Sequence, residues 1–228
     1  MGIVQRQSTL TTLASYAGSA LGYLNKTIFF THLLTLEQVG LANVSVEIAL
    51  TYAQFAIFGL PYVMLRFFPY FDDRRRKHHG FLAFMVWVTM LSFLLATLLF
   101  MAFKPQIVAY YTKNSPLLVE YFYSIIILAF GIAFQDLLAY YLRSLYKVFI
   151  PALVKEVGMR LLMTIGLILY GLKWISFEQF MVIYVGSFVS VAVFLFGYLY
   201  YLKMLHLRPR LTFRLRRLWK PMAEQGGY

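Results

Sequence analysis

Six long apolar stretches, joined by loops that alternate between basic-rich and basic-poor, are the feature that most constrains this chain. A membrane-spanning helix needs roughly 20 predominantly apolar residues, and each stretch is long enough. The stretches lie near residues 9–31, 44–65, 81–103, 117–140, 151–172 and 178–202. The sequence therefore predicts an all-α membrane protein built as a bundle of six transmembrane helices.

The loop charges predict which side of the membrane each loop occupies. The loop at 72–79 contains three arginines and a lysine, whereas the loop at 31–43 carries Glu37 as its only Asp, Glu, Lys or Arg. The segment 203–220 holds seven basic residues. Because cationic loops stay in the cytoplasm, both termini are predicted to be cytoplasmic.

The chain divides into two parts on the same pattern. Residues 1–203 form the predicted bundle, and residues 204–228 alternate basic and apolar residues, as an amphipathic helix on the cytoplasmic leaflet does. A transporter normally needs two related halves around a central path. We therefore expect the basic segment to lead to a second bundle of the same chain, or the bundle to pair with a second copy.

Composition supports the membrane assignment and excludes other classes of protein. Hydrophobic residues make up 61% of the chain, charged residues 13%, and the mean hydropathy is +0.69. The net charge of +12 does not indicate a nucleic-acid partner, because the basic residues lie beside the ends of apolar helices. The chain has no cysteine, which excludes disulfides and thiolate metal sites. The first apolar stretch is too long for a signal peptide and should remain as a span.

The second apolar stretch contains a Gly-Leu-Pro sequence at Gly59 to Pro61. Proline inside a helix removes a backbone hydrogen bond, so we expect a break near the cytoplasmic end of this span. The break is either a tolerated kink with a packing role or part of a functional site.

Two oppositely charged residues fall at similar depth in the first two spans. Lys26 lies about one turn before the outer end of the first span, and Glu47 about one turn after the outer start of the second. An ion pair between them would lower the cost of burying either charge. Lys26 also shares a helix face with Ala14, Gly18 and Gly22, which predicts close helix packing. Lys26 is therefore either a snorkelling lysine at the end of a packing seam or a cation facing a cavity.

The fourth and fifth spans form a predicted hairpin that turns near residues 148–149. If the two helices pack side by side, Asp136 faces Arg160 and Arg143 faces Glu156. Both pairs combine opposite charges, and we interpret them as structural ion pairs.

Catalysis has little support in the sequence. His78 and His79 fall in the basic loop, where we expect them to be solvated, and no pair of histidines or carboxylates lies at ligand spacing on one helix face. The chain also lacks a glycine-rich phosphate loop. We therefore predict that it is not an enzyme, with no metal site and no cofactor.

Four short motifs carry a resemblance to a known family. They are FGLPYVMLRFFPYF at 58–71, LLTLEQVG at 33–40, YYLR at 140–143 and ISFEQF at 175–180. In their order and spacing they resemble polysaccharide flippases of the multidrug/oligosaccharidyl-lipid/polysaccharide exporter superfamily, over essentially the whole chain. The departure is that only one of the family's two bundles is present.

The resemblance implies a fold, a location and a cargo. Members of this family alternate access to carry an undecaprenyl-pyrophosphate-linked oligosaccharide across the bacterial cytoplasmic membrane, for O-antigen, exopolysaccharide or capsule synthesis. Fixed cations in a wet cavity would bind the pyrophosphate, and arginine suits phosphate geometry better than lysine. Arg66 is either the first contact for the phosphate, with Lys26 receiving it higher up, or a cation that anchors the cytoplasmic end of the span. The implied partners are the lipid-linked oligosaccharide, membrane lipid and glycan-assembly proteins.

Two other functions remain open. A cation-coupled multidrug exporter of the same superfamily would need a carboxylate in the cavity, for which Glu47 and Asp136 are the candidates. A non-transporting membrane scaffold for glycan assembly could be a solitary six-helix bundle.

Overall fold

The structure, a computed structural model, describes residues 2–57, 59–73, 77–114 and 116–206. Within these ranges the chain is helical and contains no β-strand. The helices are α1 (Ile3–Tyr23), α2 (Phe30–Leu33), α3 (Leu36–Ile57), α4 (Leu60–Phe67), α5 (Phe81–Ala102), α6 (Lys104–Asn114), α7 (Pro116–Glu120), α8 (Phe122–Ser144), α9 (Phe149–Leu153), α10 (Met159–Gly171) and α11 (Phe177–Tyr201).

Short segments of other helix types connect several of these elements. A π-helical segment at Leu24–Phe29 joins α1 to α2, and another at Val154–Gly158 joins α9 to α10. Two 3₁₀ segments, Phe68–Tyr70 and Lys77–Gly80, lie between α4 and α5. The predicted basic segment at 204–228 lies outside the described residues from residue 207 onward.

The prediction of six spans is confirmed only in a coarser form. Three helices of the described chain are long and apolar enough to cross a membrane: α5 with the turn before it, α8 and α11. The bent pair α3 and α4 makes a fourth if it counts as one span. The predicted first and fifth spans correspond to α1–α2 and α9–α10, and each is interrupted by a π-helical segment that carries charge. The described chain is therefore an all-helical protein with several apolar helices of membrane-spanning length.

Helix α8 lies at the centre of the bundle. It packs against α11, α3, α4 and α5, while α10 packs on α11, and α1 packs on α9 and Val154–Gly158. One apolar core lies between α3, α8 and α11, and a second surrounds Phe68, Phe81 and Tyr141. Helix α1 is attached to one side of the bundle, through its contacts with α9 and α10.

The α3–α4 span breaks at the Gly-Leu-Pro sequence. Gly59 adopts a left-handed conformation (φ 69°), and Pro61 lies in the first turn of α4, where a missing N–H costs no helix hydrogen bond. The N–H groups of Tyr62 and Val63 donate to the Gly59 carbonyl at 3.0 and 3.1 Å. The two helices meet at an angle of 48°. The sequence thus ends one helix and starts the next, and the Gly59 carbonyl accepts from the first N–H groups of α4.

The two motifs LTLEQ and ISFEQ begin helices by the same device. Thr35 Oγ1 accepts from the Gln38 N–H at 3.4 Å while Gln38 Oε1 accepts from the Thr35 N–H at 3.0 Å. Ser176 and Gln179 exchange the equivalent bonds at 3.3 and 2.9 Å. Both are capping boxes, which satisfy backbone donors that a helix start leaves without partners. They fix the first turns of α3 and α11.

The small-residue face of α1 packs against the charged part of the α9–α10 region. Ala14 and Gly18 are buried. A Cβ atom at Gly18 would lie 2.6 Å from both Arg160 Nη1 and the backbone oxygen of Glu156. At Gly22 it would lie 3.2 Å from Arg160 Nε. The predicted seam is confirmed, and the Arg160 side chain lies across it.

Replacing Gly18 with alanine should therefore destabilise the bundle. The new methyl group meets backbone as well as side chain, and such overpacking costs about 1–3 kcal/mol. We expect Gly18→Ala to lower the melting temperature in detergent by about 5 °C. Gly186→Ala is the matched control, because no atom lies within 4 Å of a Cβ at that helical position. Equal melting temperatures for the two variants would contradict the close packing.

Candidate functional site

A cleft of about 560 Å³ lies between α1, α3, α10 and α11 and the π-helical segment Leu24–Phe29. Its volume is within the range of small-molecule binding sites. Nine of its lining residues carry a polar or charged side chain: Ser19, Tyr23, Asn25, Lys26, Thr27, Asn43, Glu47, Arg160 and Tyr184. Charged and polar side chains among apolar helices are expensive to keep, which makes this cleft a candidate for a binding site.

Lys26 and Glu47 both line this cleft, but they do not form the predicted ion pair. Among the described residues, no carboxylate lies within 4 Å of the Lys26 ammonium. Both side chains are exposed in the bundle. The two charges therefore share one space without neutralising each other directly, because α1 packs on α9 and α10 and stands apart from α3 at this depth.

A hydrogen-bond network anchors the wall of the cleft beside Lys26. Asn25, which is 1% exposed, donates through Nδ2 to the Arg160 carbonyl at 3.0 Å. Thr164 Oγ1 lies 2.8 Å from Asn25 Oδ1 and 2.7 Å from the same carbonyl. The network ties the π-helical segment to α10 and holds the backbone next to Lys26 in place. Asn25 and Thr164 were not predicted, although a buried asparagine inside an apolar stretch is a signal that could have found them.

The ion pairs of the α8–α9–α10 region differ from those predicted. Lys155 Nζ lies 2.8 Å from Asp136 Oδ1, and Arg160 Nη1 lies 3.0 Å from Glu156 Oε2, one helical turn away. All four side chains are only partly buried. The predicted register was wrong because α8 ends at Ser144 and the π-helical segment then rotates Lys155 and Glu156 relative to a regular α-helix.

Arg143 is likewise placed differently from the prediction. Its guanidinium lies over the ring of Tyr140, 4.8 Å from the centroid, in a cation–π contact, whereas Glu156 is paired with Arg160. Arg143 is exposed in the last turn of α8, where a cation also suits the helix dipole. It therefore stabilises a helix end and takes no part in the cleft.

His78 and His79 are buried, which corrects the expectation of a solvated pair. They are 3% and 6% exposed and adopt left-handed backbone conformations (φ 48° and 53°). Their rings lie 3.5 Å from Asp72 and 3.8 Å from Asp73, respectively. His78 also packs against Phe68, with ring centroids 5.3 Å apart. Such strained backbone persists only where the surroundings impose it, so this turn fixes the connection between α4 and α5.

Arg66 lies outside the lining of the cleft. It is exposed in the last turn of α4, after the break at Gly59 and Pro61. Of the two predicted substrate contacts, this cleft therefore contains Lys26 and not Arg66.

The chemistry available in the cleft is that of binding. It offers an ammonium, a carboxylate, amides and hydroxyls, while the guanidinium of Arg160 is already paired with Glu156. The part of the chain that the structure describes contains no group of three or more His, Asp or Glu residues that could hold a metal ion.

Comparisons with known proteins show no family for this chain. The chain matches no protein-family model, no curated protein and no solved structure.

A double-mutant cycle distinguishes the observed ion pair from the predicted one. Asp136→Asn and Lys155→Gln remove the two ends of the observed pair, so their effects on unfolding free energy should be coupled by about 1 kcal/mol. Asp136→Asn and Arg160→Gln should be additive, because Arg160 is paired with Glu156. Thermal or denaturant unfolding in detergent measures both cycles. Coupling of Asp136 to Arg160 in place of Lys155 would contradict the structure.

Proposed function

We propose that this chain forms the first bundle of a transporter that flips an undecaprenyl-pyrophosphate-linked oligosaccharide across the bacterial cytoplasmic membrane. The full bundle has six spans with both termini in the cytoplasm, and alternates access against a second bundle or a second copy. Its cargo serves the synthesis of a polysaccharide such as O-antigen, exopolysaccharide or capsule. The observation that carries the proposal is the cleft that Lys26 lines together with other charged and polar side chains, within an otherwise apolar bundle.

The charge of Lys26 is available to an incoming phosphate. No ion pair occupies it among the described residues, and the Asn25 network fixes the backbone beside it. A pyrophosphate that leaves water loses a large hydration energy, which a fixed cation in a wet cleft partly offsets. Asn43 and Thr27 add neutral hydrogen-bonding groups that suit sugar hydroxyls.

The size of the cleft sets what one bundle can hold. About 560 Å³ accommodates a phosphate group with one or two sugars, and a longer glycan needs further space. A second bundle, facing α1 and α3, would supply it. The proposal therefore includes a partner half as part of the binding site.

Arg66 has a separate role in this proposal. It lies just after the break at Gly59 and Pro61, near the end of α4 that we expect to face the cytoplasm. A guanidinium there can make the first contact with the lipid-linked phosphate before the cargo reaches Lys26.

Removal of the Lys26 charge should strongly reduce glycan export. We expect Lys26→Gln to lower surface display of the polysaccharide at least about tenfold in the host, the loss expected for a phosphate contact worth roughly 1.4 kcal/mol or more. Lys26→Arg should retain part of the activity.

The matched control is Lys173→Gln, which removes an exposed charge from the turn between α10 and α11. Surface glycan, lipid-linked intermediate and protein level are measured together in all three variants. Full glycan display by Lys26→Gln, at normal protein level, would refute the role of the cleft.

A second function is favoured by Glu47. This carboxylate lines the cleft without an ion-pair partner among the described residues, as a cation-coupled multidrug exporter would require. Asp136, the other candidate, is paired with Lys155. Loss of the Glu47 charge would then remove the binding site for the coupling cation.

Under this second function, Glu47→Gln should abolish proton- or sodium-driven accumulation of a cationic dye in everted vesicles. Glu37→Gln, in the first turn of α3, is the control. If vesicles that contain the unsubstituted protein accumulate no dye under either gradient, the multidrug function is excluded.

A further inference from the structure

A second cleft lies at the opposite end of α1 from Lys26. It has a volume of about 360 Å³ and lies between the start of α1, the turn from α8 to α9, and the last turns of α11. Arg6 and Lys147 line it together with Tyr198. These helix ends are the ones that we expect to face the cytoplasm, so the cleft lies at the membrane interface.

The geometry of this second cleft is held by a contact between distant parts of the chain. The Val148 N–H donates to Gln7 Oε1 at 2.9 Å, which ties the start of α1 to the α8–α9 turn. The Lys147 N–H donates to the Leu142 carbonyl at 2.9 Å, which fixes the turn on the end of α8. Arg6 precedes Gln7 and Lys147 precedes Val148 in the chain, so the Gln7–Val148 bond holds the backbone beside both cations in place.

The charge of the second cleft is one-sided. Its lining contains Arg6 and Lys147 and no carboxylate. Neither cation has an ion-pair partner within 4 Å in the described part of the chain. Two cations that face one cleft repel each other, and an anion between them removes that repulsion. The remaining lining residues include Leu10, Phe149 and Ile150, which are apolar.

We propose that this second cleft binds the phosphate group of an anionic membrane lipid. The guanidinium of Arg6 and the ammonium of Lys147 contact the phosphate, and the apolar side chains contact the start of the acyl chains. Basic pockets between helices on the cytoplasmic side of a membrane suit such headgroups. The lipid fastens α1 to the α8–α9 turn from the membrane side. This proposal needs only a membrane location, and it does not rest on the proposed transport function.

Native mass spectrometry of the delipidated chain in detergent tests the proposal. Phosphatidylglycerol or phosphatidylcholine is titrated, and occupancy of the first bound lipid is measured. We expect phosphatidylglycerol to bind the unsubstituted chain more tightly than phosphatidylcholine. Arg6→Gln and Lys147→Gln should each weaken phosphatidylglycerol binding about fivefold, the share of one basic residue at an anionic surface.

Two controls keep the result specific. Lys173→Gln removes a cation from the turn between α10 and α11 and should leave lipid binding unchanged. Lys147→Arg keeps the charge and should bind as the unsubstituted chain does. If millimolar orthophosphate competes with the lipid, the cleft recognises the phosphate group alone. If orthophosphate does not compete, binding also needs the acyl chains. Equal affinity for the two lipids, or an equal loss in Lys173→Gln, would overturn the proposal.

Discussion

The contact between the glycine face of α1 and the side chain of Arg160 determines where the polar groups of this bundle can lie. Helices in lipid gain little from the hydrophobic effect, so their association depends on close packing and polar contacts. Gly18 and Gly22 leave the space that Arg160 fills, and Glu156 neutralises its charge. With α1 held there, Asn25 reaches the Arg160 carbonyl, and Lys26, the next residue, lines the cleft.

Both π-helical segments lie where the bundle carries charge. A π-helical turn contains an extra residue, which rotates the side chains that follow and frees a backbone carbonyl. In Val154–Gly158, the adjacent Lys155 and Glu156 pair with Asp136 and Arg160, on α8 and α10 respectively. Neighbouring residues of opposite charge thus find separate partners.

The sequence predicted the long apolar helices well and their polar contacts poorly. The stretch at 81–103 corresponds to α5, and the stretch at 178–202 to α11, because apolar length and helix punctuation are both local properties. The ion pairs of Asp136 and Glu156 were predicted with the wrong partners, since hairpin register depends on where α8 ends and on a π-helical segment without a sequence signature. The predicted common depth of Lys26 and Glu47 agrees with their position in one cleft. Depth alone does not determine which helices pack against each other, and the predicted ion pair between the two residues does not form.

The structure shows that the motifs do not all support the proposed function equally. LTLEQ and ISFEQ are capping boxes, a solution that unrelated helices also use, so they explain helix starts better than they indicate a cargo. The functional argument then rests on the cleft, where the two proposed functions make opposite demands on Glu47. A charged Glu47 repels a pyrophosphate that approaches Lys26, whereas a cation carrier needs that same charge. In the proposed flippase, a cation or a basic group bound beside Glu47 would remove this repulsion.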